Sequence, residues 1–357
     1  MSDPDRFVWD HRAVRVVFGT GAIDETSREL ERAGISRALV IFTPGRANDA
    51  MRLRRDHGSR VAAAFGDAHV HVPAAVADAA RAAAADARAD GLIALGGGSA
   101  IGVAKAVALT TALPIIAIPT TYSGSEMTSV WGLTDAGAKQ TGRDARVAPR
   151  TVIYDPALTL TLPAAESATS GMNAAAHAVE ALYAPDAHPL ASLAAAEALR
   201  LLAHSLPRIV AQLDDAGARA DAMRAAYLAG TALDATSMGL HHRICHVLGG
   251  SFGLPHAPTH AVLLPYVVAW QQTAAPQAMA AIARAIDVDD AAQGLQTLAR
   301  SIGVPVSLAA LGLARDAIPA AADLAARNPP AGPRAVTRDD IVRVLDMAFE
   351  GAHFVRR

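Results

Sequence analysis

From about residue 13 to residue 155 the chain alternates short β-rich runs with helical stretches, and that alternation stops at Asp155-Pro156. VRVVFG, RALVIFT, RVAAAFG, LIALGGG and PIIAIPTT read as strands separated by helical segments such as IDETSRELERAG and VADAARAAAADARADG, which is the grammar of an α/β domain. Residues Thr121 to Asp155 lose the alternation, and glycine punctuation there predicts a hairpin or irregular excursion before a last strand, TVIYD. Beyond Pro156, alanine- and leucine-rich stretches with helical periodicity run almost to the end, which predicts an all-helical second half. No repeat at a fixed period interrupts either half.

A length of 357 residues with 52% hydrophobic and 18% charged content suits two packed, soluble domains. The formal net charge of −2 supplies no general attraction to nucleic acid or to an anionic membrane. The start MSDPDRFVWDH lacks a cationic segment followed by an apolar one, and no apolar run reaches the roughly 20 residues of a membrane span, so a cytoplasmic location is expected. One cysteine, Cys245, excludes an intramolecular disulfide and reads as a small apolar filler.

Two features carry chemistry. In LIALGGGSAIGVAK a buried strand ends in Gly96, Gly97 and Gly98, and a helix opens at Ser99, with Gly102 in its first turns and Lys105 beyond. Backbone N–H groups at such a helix start can hold a pyrophosphate, and glycine permits the close approach. The next strand ends in IPTTYSGSEMT, whose Thr120, Thr121, Ser123, Ser125 and Thr128 place hydroxyls at the same carboxyl edge, where open α/β sheets bind ligands. Thr43 ends the second strand in IFTPGR, which has no acidic residue to select a ribose 2′-hydroxyl and has Arg46 close by, so a nucleotide with or without a 2′-phosphate is expected to be accepted. A purely structural turn is the alternative reading of the glycines.

The second feature is a crowd of histidines: His241, His242, His246, His256 and His260. Asn173 and His177 stand four apart, as do His242 and His246, so each pair shares a helical face. Such spacing builds a metal or polar pocket between helices. Arg243, between the two helical histidines, and His241 are candidates for holding a substrate carboxylate.

Three stretches together, GGGSAIGVAK, PTTYSGSEMT and GMNAAAHAVEALY followed by HHRICHVLGGSFGLPHAPTHAVLLP, resemble the iron-containing alcohol dehydrogenase family over nearly the whole chain. The resemblance implies an α/β NAD(P)-binding domain over residues 1–156, an all-helical substrate and catalytic domain over 157–357, a cofactor cleft between them, and a homodimer. The family's metal ligands, an aspartate and three histidines, fall on Asn173, His177, His242 and His256, so the carboxylate is missing. The family's further active-site histidine falls on His246, its cofactor-proximal lysine on Lys139, and Gly102 takes an acidic position. These departures look like the branch that reduces the C=C bond of maleylacetate, a small oxo-dicarboxylate, to 3-oxoadipate in aromatic catabolism. With Asn173 in place of the carboxylate, Asn173, His177, His242, His246 and His256 are expected to act on the substrate without a required metal. The alternatives are a metal-dependent alcohol dehydrogenase and a lyase like dehydroquinate synthase, which would consume no net NADH.

Overall fold

The computed structural model describes residues 7, 9, 12–135 and 138–354. Its first compact unit spans Arg12–Leu162. In chain order its elements are β1 (Arg15–Phe18), α1 (Thr26–Arg32), β2 (Ala38–Phe42), α2 (Ala47–His57), β3 (Val61–Phe65), α3 (Ala74–Asp86), β4 (Gly91–Gly96), α4 (Gly98–Thr111), β5 (Ile115–Pro119), β6 (Val130–Asp135), β7 (Ala138–Arg143) and β8 (Thr151–Tyr154). β1, β8, β5, β4, β2 and β3 lie side by side in that order and pair in parallel. Both faces of the sheet are covered, which is why its strands read as unbroken apolar runs. Leu39 and Ile41 meet Ala77, Ala80 and Ala84 of α3 and Ala100, Val103 and Ala104 of α4, whereas Ala38 and Val40 meet Leu30 of α1 and Ala50 and Leu53 of α2.

From β2 the chain moves outward to β3 and then crosses back to β4 on the other side of β2. The carboxyl ends of β2 and β4 therefore flank a point where the winding reverses, the place where open α/β sheets take ligands. The excursion expected after Thr121 contains the antiparallel hairpin β6–β7, in register from Val130 with Arg143 to Asp135 with Ala138. The hairpin is tied down by Thr134, whose N–H donates to Val72 O (3.0 Å) and whose hydroxyl donates to His71 O (2.8 Å).

The unit continues past Asp155-Pro156 to Leu162. Asp155 explains this, because its carboxylate accepts from the N–H groups of Gly21 (3.1 Å), Ile23 (3.3 Å) and Ala157 (3.1 Å), stitching the following turn to the edge beside β1.

The second unit begins at Pro163 and holds α5 (Ala164–Tyr183), α6 (Pro189–Ala211), α7 (Ala216–Asp234), α8 (Leu240–Phe252), α9 (His256–Gln271), α10 (Pro276–Ala285), α11 (Ala291–Ser301), α12 (Ile318–Ala326) and α13 (Arg338–Glu350). Phe7 and Trp9 belong to this unit rather than to the sheet, their rings stacked near His188 at 5.8 and 4.7 Å. Helix α5 is buried along almost its whole length and packs against α6, α7 and α9. Its small residues make that possible. A Cβ at Gly171 would stand 2.4 Å from Cδ2 of Leu206, which is itself fully enclosed. Among the described residues no helix is long and apolar enough to cross a membrane.

Because a Cβ would press on three atoms of a fully buried Leu206 side chain, Gly171→Ala overpacks the α5–α6 contact and is expected to destabilise the fold by about 1–3 kcal/mol. A drop in the urea midpoint without a change in slope checks this; an unshifted midpoint contradicts the tight contact.

Candidate active site

In the first unit, the carboxyl edge of the sheet forms a glycine-floored cradle. Gly96 has φ +145°, a backbone angle that side chains rarely adopt, and a Cβ there would meet Thr43 Oγ1 at 3.1 Å. A Cβ on Gly97 would lie 2.8 Å from Thr121 Cγ2. Gly98 opens α4, and its vacant Cβ position faces Ser123 Oγ at 3.9 Å and Ser125 Oγ at 4.0 Å. Thr43, Gly96, Gly97, Gly98, Ser99, Thr121, Ser123 and Ser125 thus gather around one helix N-terminus whose free N–H groups and dipole favour a phosphate. Thr120 is buried, and its N–H donates to Gly96 O (3.0 Å), bracing the cradle from behind.

Behind this edge lie residues with other partners. Lys105 is buried, and its ammonium donates to Ser125 O (2.7 Å), Thr128 O (2.7 Å), Val130 O (2.8 Å) and Thr128 Oγ1 (2.9 Å), so it organises the 125–130 loop. Thr128, expected to meet the cofactor, is enclosed and committed to Lys105. Gly102 makes room for Val72, whose Cγ2 would be 2.6 Å from a Cβ. Lys139 lies on β7 opposite Thr134, its Cε packed 3.2 Å from the Cβ position of Gly132. Arg46 pairs with Asp49 across 3.3 Å, an acidic neighbour that the strand-end pattern did not reveal.

In the second unit, α5 carries Asn173, His177 and Glu180 on one face at spacings of four and three. His177 Nδ1 lies 2.7 Å from His242 Nε2, with the two rings stacked at 4.8 Å, and Asn173 Nδ2 lies 3.4 Å from His177 Nε2. His242 Nδ1 donates to Glu180 Oε2 at 2.6 Å. The Glu180 carboxylate also accepts from the N–H groups of Gly239 (2.7 Å) and His241 (2.7 Å), capping the start of α8. Burial works to raise the Glu180 carboxyl, but the charge and hydrogen bond of His242, with His241 and the Gly239 N–H, outweigh it and hold the group below the ordinary carboxylate range. Sequence reasoning missed Glu180; the signal was its place three residues after His177 on the same face.

His246 and His256 are half-buried, with near-parallel rings 6.3 Å apart, while His256 meets His260 at 4.5 Å. His241 does not reach the accessible part of this cluster as expected of a substrate contact: it is wholly enclosed, with Nε2 2.9 Å from His260 Nδ1 and 3.6 Å from Cys245 Sγ. Burial pushes His241 down to about 3 and His260 well below its ordinary value, so both rings are neutral near pH 7. Arg243 also departs from its expected role. Its Nε and Nη2 donate to the carbonyls of Ala325 (3.2 Å) and Leu324 (2.7 Å), capping the C-terminal turn of α12.

Residues 13–156 match the family described as iron-containing alcohol dehydrogenase, and residues 167–349 match the C-terminal part of the Fe-containing alcohol dehydrogenase family. The chain belongs to the iron-containing alcohol dehydrogenase family. It is 50% identical over 345 residues to maleylacetate reductase of Burkholderia cepacia, covering 97% of this chain and 98% of that one. The crystal structure of maleylacetate reductase from Rhizobium sp. strain MTP-10005 superposes with a TM-score of 0.92 at 46% identity, over 98% of this chain and 99% of that one. Sulfoacetaldehyde reductase from Bifidobacterium kashiwanohense, solved in complex with NAD+, matches with a TM-score of 0.86 at 27% identity, over 96% and 99% of the two chains.

The family name raises the question of a metal. The set Asn173, His177, His242 and His256 offers a divalent cation no anionic ligand, and two of its ring nitrogens face each other across 2.7 Å, a distance that holds a shared proton, so three imidazoles are all it could bring to a metal and two of them would first have to part. A different group does converge: ligand atoms of His241, Cys245 and His260 lie within 4.8 Å of one another. A thiolate there would suit zinc, so this group competes with the metal-independent expectation. It supplies three donors, already hydrogen-bonded among themselves and shut off from solvent.

The neutral state of His241 makes a testable statement about stability. Its folded pKa of about 3 lies below the unfolded value near 6.5, so the unfolded chain binds the proton more strongly and stability is lost as pH falls from about 6.5 toward 3. The slope from this residue is expected to approach roughly 1.4 kcal/mol per pH unit, and His241→Gln should flatten it. Urea titrations across that window measure both; an identical slope in the variant contradicts the burial argument.

Proposed function

We propose that the protein reduces the C=C bond of maleylacetate to give 3-oxoadipate, with NADH or NADPH as hydride donor, in the catabolism of aromatic compounds. The observation that carries this reading is the histidine cluster itself, with neutral Asn173 where a metal-binding relative needs a carboxylate. The relatives named maleylacetate reductase, at 43–50% identity over nearly the full length, support it.

The reduced nicotinamide supplies a hydride. Added to the alkene carbon β to the ketone, the hydride pushes the C=C electrons onto the ketone oxygen, and the resulting enolate takes a proton at the α carbon. An alcohol dehydrogenase must stabilise a localised alkoxide, for which a Lewis-acidic metal is well suited. An enolate spreads its charge over oxygen and carbon, and histidine N–H donors suffice. In this reading the half-buried His246 and His256 donate to the substrate, and His242 and His177 support them from α8 and α5. Thr43, Gly96, Gly97, Gly98, Ser99, Thr121, Ser123 and Ser125 hold the dinucleotide phosphates, with the sheet unit as the cofactor domain and the helical unit as the substrate domain. A homodimer in the cytoplasm completes the reading.

Maleylacetate-dependent oxidation of NADH, and of NADPH, is expected to survive exhaustive chelation, with far less than one metal per chain in the purified protein. Asn173→Asp should raise metal affinity without raising reductase activity. Near-stoichiometric zinc or iron whose removal abolishes turnover refutes the metal-independent mechanism.

If a protonated histidine stabilises the enolate, kcat falls as pH rises beyond the histidine range near 6.5, because the donor proton is lost. His246→Ala and His256→Ala are each expected to lower kcat by roughly 10²-fold or more while NADH affinity, read by fluorescence titration, stays near the parent value. Near-normal kcat in both variants makes the cluster structural.

A further inference from the structure

The hydrogen bonds around Glu180 fix more than geometry; they fix where the protons are. A carboxylate cannot donate, so in the neutral ring His242 carries its one proton on Nδ1 and leaves Nε2 as an acceptor. Among the described residues, the hydrogen bond given to that nitrogen comes from His177 Nδ1–H across 2.7 Å, so a neutral His177 in turn presents Nε2 as an acceptor. The amide of Asn173 must then turn Nδ2, not Oδ1, toward His177. One ionised carboxylate thereby orders two tautomers and one amide over a chain spanning α8 and α5.

We propose that Glu180 is a positioning residue of this enzyme: through His242 and His177 it sets the orientation of the Asn173 amide, leaving Asn173 Oδ1 as a buried acceptor without a protein partner among the described residues. The arrangement also gives Asn173 a reason beyond the loss of a metal ligand. An ionised aspartate at 173 would set its oxygen against the Nε2 lone pair of His177, whereas an amide donates to it. Gly239 belongs to the same device, because a Cβ there would stand 2.6 Å from Glu180 Oε1 and displace the carboxylate. What the ordered groups do in turnover rests on the reductase reading; the proton order itself does not.

The test begins with the parent protein. Histidine-selective 15N labelling, with signals assigned by His177→Asn and His242→Asn, reads the tautomer of each ring in the absence of substrate. Both rings are expected as the Nδ1–H form at neutral pH; an Nε2–H form at either overturns the proposal whatever the enzyme's substrate proves to be. Glu180→Gln keeps the size but turns an NH2 toward groups that already donate, so mixed tautomers are expected at His242 and His177. The same variant should lower kcat by roughly 10- to 100-fold with KM for NADH little changed, and Glu180→Asp should recover part of the Nδ1–H signal and of kcat. Unchanged tautomers and kcat in Glu180→Gln overturn it, and if that variant does not fold the parent spectrum decides. Ordered tautomers in a protein that fails to oxidise NADH with maleylacetate would sink the substrate assignment and leave the proton order standing.

Discussion

A single buried negative charge holds the helical unit's site together. Glu180 lies in an interior of alanine, leucine and valine, where an unpaired carboxylate would be too costly to keep ionised. It survives there because two backbone N–H groups at the start of α8 and one imidazole converge on it, so the beginning of α8 is placed by the same atoms that orient His242. The sheet unit repeats the solution with opposite sign. Lys105 is a buried ammonium whose donors are taken by carbonyls and a hydroxyl of the 125–130 loop, and that loop carries Ser125 to the edge of the glycine cradle. In both units the expensive buried ion lies one step behind the groups proposed to meet a ligand.

Much of the architecture was legible because its signals are local. Strand runs bounded by glycine and helix runs of small apolar residues have their own periodicities, and the sheet, its covering helices and the helical second half all follow them. The close contacts of Gly96 and Gly97 with Thr43 and Thr121 were also foreseeable, since three glycines between a strand and a helix have few other uses. What the sequence concealed depends on partners distant along the chain. Thr128 looked like a ligand-facing hydroxyl and is bound to Lys105. Arg243 sits among histidines in sequence, but one helical step turns its guanidinium toward α12, some 80 residues away. Asp155 looked like a boundary and is a clasp.

Within the histidine cluster, residue type alone did not separate those that can meet a substrate from those that cannot. Burial does. His241 and His260 are fully enclosed and kept neutral by desolvation, while His246 and His256 retain exposed edges. Adjacent positions on α8 therefore serve different purposes: His241 faces the interior, His242 faces Glu180, and His246, one turn on, faces the open side of the cluster.

The close seat of Leu206 on Gly171 has a further meaning when α5 is viewed as a shaft. Gly171 stands two residues before Asn173, and the rod continues through His177 to Glu180 without a kink-forming residue. Its depth against α6 therefore sets how far the whole row of polar groups projects toward α8. A close seat imposed by a leucine outside the polar row becomes the alignment standard for the proton chain.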